Sequence, residues 1–158
     1  MLLIAIFIAL PLTKKYSKLS PIKLNKINLF FFILGPCAII SYMLGHLGFM
    51  IGLRINEFIH NQKLIFDFRT YSLFFMGSVF LIGGLYMLFK AKSYISGNYD
   101  AIKGFCIVGI LIILHSLPAL VLNPLAIVPL ISFIISIAAF SFIRKRVNLY
   151  YPTSNSYI

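Results

Sequence analysis

The longest apolar run in the chain, Gly104 to Ile143, passes forty residues without an Asp, Glu, Lys or Arg. Asn123-Pro124 sits at its middle, and a proline biases the residue before it away from helical backbone. The run therefore divides into two segments of about nineteen residues, close to the roughly 20 that carry a helix across a bilayer core of about 30 Å. This pattern predicts a transmembrane hairpin with spans at 104–122 and 125–143, around which the rest of the chain should be organised. Two further uncharged runs, 27–53 and 70–89, are long enough to cross as well. The expected fold is all-α: a polytopic integral membrane protein built as a four-helix transmembrane bundle, with one domain over residues 1–158.

The remaining segments read as connections. Met1 to Leu12 is apolar, but as a helix it would reach only about 18 Å, too short to cross. It lacks the basic start of a secretory signal. It is expected to be an interfacial segment, a short helix against the bundle, or the inner end of a longer span. Residues 13–26 form a basic linker carrying Lys14, Lys15, Lys18, Lys23 and Lys26, broken by Ser20-Pro21. In 54–69, Ile55, Phe58 and Ile59 recur at helical spacing, which predicts an amphipathic helix on the outer interface, with a plain polar loop as the alternative. Residues 90–103 hold a Ser96-Gly97-Asn98 turn cluster, and 147–158 form a polar tail.

Charge sets the orientation. Of the fourteen Lys and Arg, eleven fall in the first linker, the 90–103 loop and the end of the last span; three fall in 54–69 and none between the last two spans. Both termini are then cytoplasmic, and the basic residues meet anionic headgroups. The net charge of +11 does not indicate nucleic acid, because the basic residues flank apolar spans rather than lining a water-facing element. Hydrophobic residues make up 61% of the chain and charged residues 11%, against roughly 45–50% and 25% in soluble domains. The excess of Ile, Phe, Lys and Asn suggests an AT-rich genome, and a bacterial plasma membrane is the expected location.

Candidate chemistry is sparse. The spans contain no Asp, Glu, Lys or Arg, so His46 and His115 are the polar groups able to act inside the bilayer. With this topology they share a depth and should face the bundle interior, where Pro118 is expected to kink the third span. They would suit a haem b ligand pair, a proton or solute site, or two satisfied core histidines. No metal-ligand cluster, P-loop, HExxH or GxSxG is present, and Glu57 and Asp67 are the one pair of acids on the same side. Cys37 and Cys106 form no CxxC and read as small hydrophobes.

The first span has more texture. Cys37, Ser41 and Gly45 recur every four residues, and Gly48 and Gly52 form a GxxxG, so one side is built of residues that admit a neighbouring backbone. Pro36 removes a backbone donor and crowds the Phe32 carbonyl, so a kink is expected near the inner third of the span, tolerable where another helix or water re-satisfies that carbonyl. The expected function is a non-catalytic membrane protein acting through helix packing, as an accessory, assembly or immunity-type subunit with a membrane-protein partner. The alternatives are an oligomeric transporter or channel component, and a haem- or quinone-associated subunit.

Overall fold

The computed structural model describes residues 2–61, 68–122 and 127–150. Among these it is all-α, with five helices: α1 Leu2–Ser17, α2 Lys26–Asn61, α3 Phe68–Ile95, α4 Ala101–Leu122 and α5 Ile127–Tyr150. Each expected span lies in α2, α3, α4 or α5, apart from residues 125 and 126, which fall outside the described residues together with Asn123-Pro124. One described helix, over Lys26–His60, is long and apolar enough to cross a membrane; Ala101–Leu117 is apolar but shorter. The fold thus establishes an all-α chain with one helix of spanning length, which is coarser than the four-span bundle expected.

Local chemistry explains the ends. Asn25 caps α2 by accepting the Ile27 N–H at 2.9 Å. At the end of α3, Gly97 adopts φ +104°. There the Asn98 N–H reaches back to the Ser93 carbonyl and the Gly97 N–H to that of Tyr94, both at 3.1 Å. This is a Schellman closure, and it needs a residue free of a Cβ at its left-handed position. The Ser96-Gly97-Asn98 cluster is thereby a turn between two antiparallel helices.

Three boundaries differ from expectation. α2 does not stop at residue 53 but continues unbroken to Asn61, so 54–61 prolong the span as one helix instead of forming a separate interfacial one; residues 62–67 lie outside the described residues. α5 runs through Arg144-Lys145-Arg146 to Tyr150. The amino-terminal segment is a helix of 16 residues that buries Ala5, Ala9, Thr13 and Tyr16. That stripe lies against α2, where the two alanines admit close approach, and places the segment within the bundle.

The centre of the structure is α2, not the 104–143 hairpin. α2 packs against α1, α3 and α5, whereas α4 leans mainly on α3 and touches α5 lightly. The reason is side-chain size. α2 and its neighbours offer glycines, alanines and serines where they cross, while the contact between α4 and α5 depends on Gly109 accommodating the Phe133 ring. At the same end, Phe32 of α2 joins three other helices through ring contacts to Tyr94 (6.3 Å), Phe105 (5.0 Å) and Phe140 (5.8 Å). Adjacent helices run antiparallel, so Lys14, Lys15, Lys26, Lys90, Lys92, Lys103 and Arg144 to Arg146 all collect at this end of the bundle.

Candidate functional site

Two faces distinguish α2: one carries Gly35-Pro36, and the roughly opposite one carries Cys37, Ser41, Gly45, Gly48 and Gly52. Proline cannot donate to the carbonyl four residues back, and the Phe32 oxygen would be orphaned inside the bundle. It is not: the Ser136 hydroxyl of α5 donates to it at 2.6 Å, fully buried. A Cβ on Gly35 would fall 2.5 Å from the Ser136 Cβ and 2.9 Å from the Ser132 carbonyl oxygen. Gly35 is therefore what lets α5 come near enough for its serine to reach the Phe32 carbonyl. α3 approaches the same place through Gly84, where an added Cβ would lie 2.7 Å from Ile40.

The sequence-predicted packing residues lie on the other face and divide along it. Cys37 and Ser41 are buried in the bundle, and the Ser41 hydroxyl has no hydrogen-bond partner among the described residues. Gly45 is half-buried. Gly48 and Gly52 are exposed, and a Cβ added to either would meet nothing within 4 Å among the described residues. Neither seats a neighbouring helix of the bundle among the described residues. The glycines that do so among the described residues are Gly35, Gly77, Gly83, Gly84, Gly104 and Gly109, each with side-chain or backbone atoms close to where a Cβ would stand. Beyond Gly52, Ile55 and Ile59 are 55% and 67% exposed, and both lie on the Gly48/Gly52 face at three- and four-residue steps.

The two histidines differ in their surroundings. His46 is half-buried on α2, and His115 is exposed on α4 with its ring 5.0 Å from that of Phe80. No hydrogen bond or ring contact joins the two among the described residues. The expectation that both imidazoles face the bundle interior fails for His115. Pro118, expected to kink α4 beside it, lies among the residues whose side chains are not described. Cys37 and Cys106 are free thiols. No group of three His, Cys, Asp or Glu that could hold a metal occurs among the described residues.

The basic end holds the remaining polar groups. Tyr94 is buried beneath it, and its phenol is pushed up to about 12, first by burial and then by Tyr99, with Arg144 opposing. It therefore stays neutral and serves as a packing ring within the aromatic cluster. Lys103 and Asp100 pair at 3.6 Å with both side chains largely exposed, a contact that water screens. At the other end Arg54 pairs with Glu57 one turn on along α2.

Ser132, Ser136 and Gly35 were not singled out from the sequence as site residues. The demand was visible in Pro36, but nothing in the order of residues named the donor. Comparison with protein-family models, with curated proteins and with solved structures finds no match.

Proposed function

We propose that the chain is a polytopic membrane protein that acts without catalysis, by presenting the outer half of α2 to a transmembrane helix of a partner protein. The observation that carries this reading is the face that begins buried at Ser41, emerges at Gly45 and stands bare at Gly48, Gly52, Ile55 and Ile59. In lipid, helices gain by close packing rather than by hiding apolar surface from water, so an open GxxxG bordered by isoleucines is a surface complementary to another helix.

Two features support the membrane setting. Large apolar side chains stand out around the bundle, among them Phe7 at 73% exposed, Phe75 at 68%, Ile82 at 66% and Phe142 at 63%. Exposed large apolar side chains on α1, α3 and α5 suit a surface that faces lipid. On α2, Lys26 and Arg54 lie about 42 Å apart at 1.5 Å per residue, which matches the roughly 40–45 Å of a bilayer with its headgroup regions. By the same measure His115 sits about 18 Å along α4 from Lys103, deep in the core. An exposed imidazole there needs a polar partner, which a second protein would supply.

The excess of Lys and Arg at the basic end supports an orientation with that end on the cytoplasmic side of a bacterial plasma membrane. A cysteine introduced at Ser96 should react with an impermeant maleimide only after the inner membrane is opened. Labelling of intact cells would reverse the topology. Partnership is tested by purification in mild detergent: a stoichiometric membrane protein should accompany the wild type and be lost from Gly52→Leu. A pure homo-oligomer would support the transporter or channel reading instead. The haem reading, which draws on His46 and His115, predicts a Soret band.

A further inference from the structure

A groove of about 540 Å³ lies between the carboxy-terminal half of α1 and the first turns of α2, within the roughly 300–1,000 Å³ of small-molecule sites. Its walls are Leu10 on α1 and Phe30 and Phe31 on α2, and Lys14 and Lys26 also line it. Because α1 and α2 are antiparallel, the two lysines lie at one end. The apolar walls begin about one turn, or 6 Å, further along both helices. Two hydroxyls also border the groove, but the Thr13 hydroxyl donates to the Ala9 carbonyl at 2.7 Å and that of Ser17 to the Lys14 carbonyl at 2.9 Å. The ammonium groups are thus the uncommitted side-chain donors. The described acids Glu57 and Asp100 pair with Arg54 and Lys103, leaving Lys14 and Lys26 without an acid. α2 begins at Lys26, so the positive end of its dipole adds to the same place.

An anionic head with an apolar chain one turn deeper is the shape of ligand that these walls complement. The geometry points to a bound anionic phospholipid, with its phosphate between Lys14 and Lys26 and an acyl chain along Leu10, Phe30 and Phe31. Basic pockets between helices on the cytoplasmic side are where such headgroups bind. The crevice beside Lys103 and Arg144 is a poorer fit, because Asp100 lies within it and pairs with Lys103. This site would tie α1 to the bundle through lipid as well as through its alanine stripe. It rests on the membrane reading above.

The test uses the full chain in nanodiscs of phosphatidylcholine with and without phosphatidylglycerol, scored by native mass spectrometry of retained lipid and by melting temperature. Wild type should retain one phosphatidylglycerol and melt higher with it present, whereas inorganic phosphate should leave the melting temperature unchanged. Lys14→Gln with Lys26→Gln should weaken retention about tenfold or more, as the loss of two interfacial lysines implies. A charge-matched control, Lys92→Gln with Lys145→Gln, should retain the lipid. Leu10→Trp keeps both lysines and fills the groove, and it too should expel the lipid. Equal losses in the two double variants, retention by Leu10→Trp, no lipid preference in wild type, or an equal response to inorganic phosphate would each overturn the site. Recovery of the chain in the soluble fraction after an alkaline wash would instead remove the membrane reading, so the two failures are told apart.

Discussion

The two halves of α2 use the same residue types to opposite ends. In the inner half, Gly35 and Pro36 meet Ser136, Ser132 and Gly84 from two neighbouring helices, and Phe32 draws rings from three. In the outer half Gly48 and Gly52 meet nothing within 4 Å among the described residues, and the helix continues past them with its isoleucines exposed. A small residue thus permits close approach but does not compel it. The inner half carries a second requirement, the orphaned carbonyl at Phe32, and the Ser136 hydroxyl of α5 meets it.

The largest effect that would test this contrast is at its aromatic hub. Phe32→Ala should destabilise the protein by about 3–5 kcal/mol, since it empties the meeting point of four helices. Chemical unfolding in detergent measures it, and a loss below about 1 kcal/mol would show that the inner half is no more tightly built than the outer, in contrast to other buried aromatics.

The same substitution should then change sign between the halves. Gly35→Ala forces a Cβ against Ser136 and the Ser132 carbonyl and should cost about 1–3 kcal/mol. Gly52→Ala has open space and removes a flexible residue from a helix interior, so it should stabilise the isolated protein by about 0.5–1 kcal/mol. Two losses of similar size would mean that Gly52 packs within the chain after all.

The smallest contrast is between two buried serines. Ser136→Ala strands the Phe32 oxygen and should cost about 1–3 kcal/mol. Ser41→Ala removes a buried hydroxyl with no partner among the described residues, so unfolding should find it neutral or slightly stabilising, by less than about 1 kcal/mol. Equal costs at both positions would show that burial alone, rather than the hydrogen bond across α2 and α5, sets their contribution.

Much of this was legible in the order of residues. The four apolar runs mark where α2 to α5 lie, Ser96-Gly97-Asn98 marks the turn between α3 and α4, and the need for a donor at Phe32 follows from Pro36. The limits of α2 and α5 were less so, because Arg54 and Arg144 mark where a membrane would end and a helix is free to continue into water. The packing of the Gly48/Gly52 face and the interior placement of His115 were misread for a related reason. In a soluble helix the polar side reveals the buried one, but here apolar residues occupy both the faces turned inward and those turned outward, and periodicity no longer distinguishes them.

The sequence by itself determined that the chain is helical, where its basic end lies, and that Pro36 leaves a carbonyl unmet, since each depends on residue type and near neighbours along one helix. Only the tertiary structure decided that Ser136 meets that carbonyl, that Gly35 rather than Gly48 is the crossing point, and that α2 rather than the 104–143 hairpin is the centre. Each of these depends on which of several permissive surfaces come together, and a glycine or serine carries the same chemistry whether or not a neighbour arrives.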